Sequence, residues 1–116
     1  MSNARYAVLG ATIANNASLS GAVNTDGRTI VAIQMPADWT AASMTFQASA
    51  DGATYWNVYD SAGTELSFTV AEDRHITVDW TKFLGALYVK VRSGTSGAAV
   101  NQGGERVVGL VVREFA

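Results

Sequence analysis

Hydrophobic and polar side chains alternate with a period of two along most of the chain. The clearest example is the segment 43–49, where Met44, Phe46 and Ala48 alternate with serine, threonine and glutamine. Because successive side chains of a β-strand point to opposite faces of the sheet, this pattern predicts a half-buried strand. The same period recurs in about eight or nine segments. They are residues 6–13, 17–23, 29–35, 43–49, 55–60, 65–70, 75–80, 87–92 and 106–113.

Short turns separate these segments. Asp51-Gly52 follows the segment 43–49, and an Asp-Gly pair accommodates the positive φ angle that a tight hairpin needs. Only residues 36–42 and 80–85 predict a helical turn, and both are too short to form a layer. We therefore predict an all-β fold, one antiparallel β-sandwich of jelly-roll type spanning residues 1–116. Residues 1–5 could form an arm that orders on a partner.

The composition narrows the classes of function. Of the 116 residues, 48% are hydrophobic and 16% are charged, the formal net charge is −2, and the 8 Lys and Arg residues are scattered singly. A nucleic-acid interface needs clustered basic residues, so we expect no nucleic-acid partner. No run of about 20 apolar residues occurs, so we expect no membrane partner. The chain has no cysteine, which excludes a disulfide, a thiolate nucleophile and a cysteine-ligated zinc ion.

The residues that could carry catalysis or bind a metal are few and scattered. The one histidine, His75, falls on the outward phase of its segment beside three charged residues, which favours a solvated side chain over a general base. Asp51, Asp60 and Glu65 offer oxygen ligands for calcium but form no D-x-D-x-D loop. Asp73 and Asp79 could act as paired carboxylates in glycoside hydrolysis only if folding brought them to a fixed spacing, and a surface role is favoured. We therefore predict no enzyme activity, no metal site and no cofactor.

The aromatic residues are the strongest candidates for a contact surface. Trp80 has the inward phase of its segment and is expected in the core. Trp56 shares one face with Val58, whereas Tyr55 and Tyr59 share the other, and the sequence leaves open which of the two faces is exposed. An exposed set of rings could pack against a protein or stack on a sugar.

Residues 93–104 form a long segment of small and polar side chains between the last two strands. Its glycines do not precede a helix that begins with Lys-Ser or Lys-Thr, so the backbone geometry that cradles a phosphate is missing. Loops that exceed the usual hairpin length are often functional. We expect a flexible loop that can reach a neighbouring subunit.

One motif resembles the discoidin-like and related galactose-binding-like jelly rolls. It combines Ser49-x-Asp51-Gly52-x-x-Tyr55 with the late strand 87–92, and the likeness covers residues 43–92. Those domains carry tryptophan where this chain has Tyr55, so their carbohydrate or lipid recognition does not carry over residue by residue. What the resemblance implies is the jelly-roll sandwich itself.

A wider resemblance is to small virion proteins of tailed phages and prophages. Four blocks carry it, namely ASLSGAV at 17–23, VAIQMPADWTAA at 31–42, TFQASADG at 45–52 and VRSGT at 91–95, and it extends over residues 17–113. Such proteins are head-decoration, head-fibre or other virion surface components. The resemblance implies a capsid decoration or cement protein that binds the major capsid protein and forms a homotrimer. Its location would be the capsid surface of the virion, after assembly in the host cytoplasm.

Under this interpretation the contact surface comprises the N-terminal segment, the loop 93–104 and one aromatic edge. The residues that we predict to contact a partner are Arg5, Trp39, Trp56, Tyr59, Thr95, Asn101 and Gln102. The alternative is a carbohydrate-binding module on a head fibre or tail, whose partners would be a fibre protein or a surface glycan recognised through its aromatic side chains. A catalytic role is the least favoured, because the sequence offers no constellation of reactive residues.

Overall fold

The computed structural model of the chain describes residues 5–114, which form two packed four-stranded antiparallel sheets. The eight strands are β1 (Tyr6–Ile13), β2 (Val23–Asn24), β3 (Thr29–Gln34), β4 (Met44–Ser49), β5 (Trp56–Asn57), β6 (His75–Thr77), β7 (Tyr88–Ser93) and β8 (Arg106–Arg113). Sheet 1 has the strand order β1-β8-β3-β6, and sheet 2 has the order β2-β7-β4-β5. The predicted antiparallel β-sandwich is confirmed, whereas its jelly-roll topology stays a prediction.

The core lies between the two sheets and is centred on three phenylalanines. Phe46 comes from β4, and its ring meets the ring of Phe83 edge-on at a centroid distance of 5.1 Å. Phe68 stacks on Phe83 at 6.0 Å and contacts Phe46 edge-on at 5.8 Å. Burying an apolar side chain of this size contributes about 1.5–3 kcal/mol to stability. The alternation in the sequence specifies the sandwich because it gives each sheet one apolar face, and the two apolar faces pack against each other.

Strand β3 departs from the simple alternation. The sequence pattern places Val31, Ile33 and Met35 together on the apolar face. In the structure the register of β3 with β8 shifts between Ile30 and Ala32, and Ile30 joins Ile33 and Met35 in the core while Val31 is only half-buried. A β-bulge adds one residue to one strand, which reverses the alternation beyond it. The prediction that Val31 shares an apolar face with Ile33 and Met35 is therefore wrong.

Two predicted strands are reduced to isolated bridges. In the segment 65–70, Glu65 and Phe68 each form a single antiparallel bridge, and no continuous strand follows. In the segment 17–23, Leu19 forms a single bridge, and only the last residue belongs to β2. A period of two shows which side chains share a face, but it does not show how far a neighbouring strand runs alongside.

The predicted strand 75–80 ends early because a helical turn follows it. Asp79 caps a 3-10 helix at Trp80–Phe83, and its Oδ1 accepts hydrogen bonds from the Thr81 amide at 3.0 Å and the Thr81 hydroxyl at 2.6 Å. These bonds lower the pKa of the Asp79 carboxyl. The helical turn predicted within 80–85 is confirmed.

Two expectations next to this turn are wrong. Trp80 is 43% exposed rather than buried, because the period-two phase stops where the strand ends. Phe83, three residues later, enters the core in its place. Residues 36–42, which predict a second helical turn, contain no helix.

Candidate functional site

An open cleft of about 390 Å³ lies beside β5, one of the two edge strands of sheet 2. Three large apolar side chains at its wall are more than half exposed: Trp56 at 70%, Leu84 at 59% and Tyr59 at 54%. Asn57 and Lys82 add polar groups to the same wall. We call this site the aromatic cleft. Large exposed apolar side chains that gather in one cleft mark a binding surface more often than single exposed ones do.

The pairing of β5 with β4 fixes the first side of the aromatic cleft. Ala48 lies opposite Trp56 and Gln47 lies opposite Asn57 in an antiparallel register. Val58 shares the phase of Trp56 and packs against the core, whereas the Trp56 ring remains largely in solvent at the sheet edge. The sequence left open which of the two faces is exposed, and neither is the exposed face as a whole: Trp56 and Tyr59 are both exposed despite their opposite phases.

A tight turn fixes the other end of β5. The Asp60 Oδ1 accepts hydrogen bonds from the amides of Ala62 at 2.9 Å and Thr64 at 3.0 Å, and Tyr59 bridges back to Glu65. The Thr64 amide holds the pKa of the Asp60 carboxyl below its usual range, and the nearby positive charge of Lys82 lowers it further. Asp60 is accounted for by this turn.

The Asp51-Gly52 turn leads into β5 and is closed by side chains. The Asp51 Oδ1 accepts hydrogen bonds from the amides of Thr54 at 3.0 Å and Ala53 at 2.8 Å and from the Ser49 hydroxyl at 2.8 Å. These donors lower the pKa of Asp51 to about 2, with the Thr54 amide contributing most. Gly52 has a φ of +78°, the left-handed conformation that glycine adopts without strain. The carboxylate is occupied by the turn, which supports its interpretation as a turn residue.

Arg92 holds the outer face of sheet 2 together next to the aromatic cleft. Its guanidinium is 3.4 Å from the Glu65 carboxylate, donates to the Asn57 Oδ1 at 2.6 Å and donates to the Thr45 hydroxyl at 3.3 Å. The sequence pattern predicts Arg92 on the solvent side of β7, and the structure buries it to 7% exposure. The prediction that Arg92 points to the outer face of β7 is correct. Alternation within β7 does not show that other segments cover this face.

The loop 93–104 lies against the sandwich. The Thr45 hydroxyl donates to the Gly94 carbonyl at 2.7 Å, and the Ser96 amide donates to the Glu65 carboxylate at 3.2 Å. The backbone amide of Gln102 donates to the Ala17 carbonyl at 2.9 Å. The structure therefore shows an anchored loop, in contrast to the flexible one that its composition suggests.

The predicted contact residues do not form one surface. Trp56 and Tyr59 come together in the aromatic cleft, whereas Trp39 is buried, donates from Nε1 to the Ala42 carbonyl at 3.2 Å and lines a separate cavity. Gln102 is fully buried, and its side-chain amide bonds to the Thr40 backbone at both ends, at 2.7 and 3.0 Å.

The remaining predicted contact residues lie outside the aromatic cleft. Asn101 and Arg5 are exposed, Thr95 is half-buried, and the Arg5 carbonyl accepts from the Glu114 amide at 2.7 Å. Of the predicted arm 1–5, the first four residues fall outside the described part of the chain. The sequence analysis did not identify Leu84 as a residue of the contact surface. The feature that could have indicated it is its position directly after a helical turn, where an apolar residue has no strand to join.

No protein-family model, curated protein or solved structure matches this chain. Within residues 5–114, no three His, Asp or Glu side chains lie close enough to hold a metal ion, and no helix is long and apolar enough to cross a bilayer. His75 is exposed, with its Nδ1 3.2 Å from the Gln34 Nε2. The aromatic cleft brings three exposed large apolar side chains together with the polar groups of Asn57 and Lys82, and it is the candidate binding site among the described residues.

Proposed function

We propose that this protein is a structural component of a bacteriophage virion, a decoration or cement subunit that binds the major capsid lattice and stabilises the head. The observation that carries this proposal is the aromatic cleft, where Trp56, Tyr59 and Leu84 expose apolar surface on a framework of paired strands. The sequence resemblance over residues 17–113 supplies the identity of the partner.

The proposed stabilisation of the head rests on burying a few large side chains of each subunit at many equivalent sites. Aromatic side chains dominate the energetics of protein interfaces because they bury large areas at a small cost in conformational entropy. Covering the Trp56 ring would contribute about 3 kcal/mol at roughly 25 cal/mol per Å². One such contact is weak, but a subunit repeated over a symmetric shell adds it at every site, which makes the assembled head harder to burst.

The test uses capsids of the phage that encodes the protein, purified without it and then supplied with it. We expect hundreds of copies bound per particle and a raised bursting temperature. Tyr59→Ala should weaken binding about tenfold, equivalent to about 1.4 kcal/mol. Val107→Ala is the control, because Val107 is about as exposed but lies on sheet 1, away from the aromatic cleft. No binding to the lattice, or equal stability with and without the protein, would exclude this function. A few copies per particle would indicate a vertex or tail location instead.

The second candidate is a carbohydrate-binding module on a head fibre or tail. The specific observation in its favour is that Asn57 and Lys82 share the aromatic cleft with Trp56 and Tyr59. Rings that stack on the apolar face of a sugar, flanked by groups that bond its hydroxyls, are the ordinary elements of a glycan site.

A glycan panel separates the two functions. Binding to a sugar should shift the tryptophan fluorescence of the native chain, and Trp56→Ala should remove the shift while the buried Trp39 remains as an internal reference. Saturable glycan binding without capsid binding would favour the module, and the reverse result would favour the decoration protein.

A further inference from the structure

The four edge strands of the two sheets differ sharply in length. β6 has 3 residues, and β2 and β5 have 2 each, whereas β1 has 8. A short edge strand offers few unpaired backbone groups to another chain, and natural proteins use shortness as one protection against unwanted pairing. β1 lacks this protection.

Among the described residues, none supplies the other protections to β1. The sequence YAVLGATI contains no charged residue and no proline, and the register with β8 runs from Tyr6 opposite Arg113 to Ile13 opposite Arg106 without a bulge. Within residues 5–114, no hydrogen bond outside the ladder with β8 involves β1. β1 therefore presents a straight, uncharged row of backbone donors and acceptors. Such an edge is a template for another strand.

The outer face next to this edge is apolar apart from Arg113, which lies opposite Tyr6 and places its guanidinium 5.7 Å from the centre of the Tyr6 ring. Tyr6 and Val8 on β1 and Val107 on the adjacent β8 are all more than half exposed. Gly10 and Gly109 lie opposite each other between them, so the face is flat as well as apolar. A strand added to β1 would extend this face and would cover part of it.

We propose that β1 pairs antiparallel with β1 of a second copy, around a two-fold axis that passes through Leu9, and so joins two copies of sheet 1 into one continuous sheet. Directly opposite residues of an antiparallel pair point to the same face, so the axis must pass through a residue rather than between two residues. With the axis at Leu9, Val8 lies opposite Gly10 and Tyr6 lies opposite Thr12. A large side chain then faces a small one at each outward position.

The charge distribution and the length of the seam are compatible with a second copy of the chain as the partner of β1. The paired strands contain no charge, and the Arg5 residues flank opposite ends of a seam about 24 Å long, at roughly 3.4 Å per residue. That separation exceeds the Debye length of about 8 Å at physiological salt, so their repulsion is screened. A seam of this length and one sheet thick buries less than the roughly 1,200 Å² of a stable interface. The pair is therefore weak in dilute solution, and its population rises with concentration.

This two-fold pairing stands independently of the proposed function and differs from the three-fold assembly that the resemblance implies. Sedimentation velocity over a wide concentration range should show the mass rise from monomer to dimer. Val8→Lys places two like charges diagonally across the seam and should weaken dimerisation at least tenfold. Val107→Lys is the matched control, because it adds the same charge to the same face one strand further from the edge, and it should change dimerisation less than about threefold.

A cysteine cross-link tests the register, since the chain has no cysteine of its own. Leu9→Cys should form a disulfide dimer under mild oxidation, because its two copies meet on the axis within disulfide reach. Thr77→Cys, on the short edge strand β6, should not. A monomer at every concentration would overturn the proposal. So would a dimer that is equally sensitive to both lysine substitutions, which would indicate pairing through the face, or a trimer that Val8→Lys leaves intact.

Discussion

The outer faces of the two sheets are built in opposite ways. On sheet 2, Arg92 is buried together with the Glu65 carboxylate and the Thr45 hydroxyl, and the loop that follows β7 folds back over them. On sheet 1, Tyr6 and Val8 stand more than half in solvent, and no segment within residues 5–114 pairs along their strand on that side. One face is completed by the chain itself, and the other is left open.

This difference separates residues that hold the fold from residues that are free to bind. A buried charge must keep its partners, because leaving it unpaired in a poorly solvated site costs several kcal/mol. An exposed valine contributes little to folding, since it gains little from burial. Substitutions in the buried Arg92 network on the outer face of sheet 2 should therefore act on stability, and those along the β1 edge on the outer face of sheet 1 should act on association.

The largest effect is expected at Arg92. Arg92→Ala leaves the Glu65 carboxylate without its cation and removes the donors to Thr45 and Asn57. Breaking a buried pair from one side typically costs about 3–5 kcal/mol, and we expect a loss of about 3 kcal/mol here because Glu65 keeps some contact with water. Urea unfolding at neutral pH measures it.

The control for this pair removes both charges. Arg92→Met combined with Glu65→Met should be less destabilised than Arg92→Ala alone, because no unpaired charge remains. A loss below about 1 kcal/mol in Arg92→Ala would mean that the pair behaves as an exposed surface ion pair, and the contrast between the two faces would fail.

The next largest effect is expected at Gln102. Its buried side chain accepts from the Thr40 amide at 2.7 Å and donates to the Ser93 hydroxyl at 2.6 Å. Gln102→Met preserves the volume but leaves these buried groups unpaired, which should cost about 2 kcal/mol in unfolding free energy. Its exposed neighbour Asn101 provides the control, and Asn101→Ala should lie within about 0.5 kcal/mol of the native chain. Similar losses in both variants would contradict the anchoring role of Gln102.

The sequence predicts the sandwich and most core residues because alternation follows directly from the need to bury one face of each strand. The β1, β4, β7 and β8 segments appear as strands in both, and the Asp51-Gly52 turn lies where its composition predicts. The bulge at Val31 could not be predicted, because it depends on how β3 fits β8 rather than on β3 alone.

The candidate site was only partly predictable for a related reason. The exposure of Trp56 and Tyr59 depends on the position of β5 at a sheet edge, which alternation does not reveal. The burial of Arg92 and Gln102 depends on bonds to residues 27 and 62 positions away in sequence, which local patterns do not show. Contacts between residues that are distant in sequence are therefore the part of this fold that the local pattern does not predict.

A smaller effect is expected from pH, through the Asp51 turn on the outer side of sheet 2. Folding lowers the pKa of Asp51 from 3.8 to about 2. A lowered pKa stabilises the folded state above the unfolded value, and this contribution is lost as the pH falls from about 4 towards 2. The unfolding free energy of Asp51→Ala should therefore fall less steeply across this range than that of the native chain. Thr54→Ser, which keeps the backbone amide that bonds the Asp51 carboxylate, should follow the native slope.

The smallest effect on stability is expected on the open face of sheet 1. Val107→Thr replaces an exposed methyl with a hydroxyl of nearly the same shape, in a strand where threonine is well tolerated. At the lowest protein concentration, the unfolding free energy should change by less than about 0.5 kcal/mol, measured by urea unfolding. Repeating the measurement at a high protein concentration sharpens the comparison. If the face becomes covered only by association, the concentration dependence of the native stability should persist in Val107→Thr and should disappear in Val8→Lys. A loss above 1 kcal/mol at the lowest protein concentration would mean that the outer face of sheet 1 contributes to folding as the outer face of sheet 2 does.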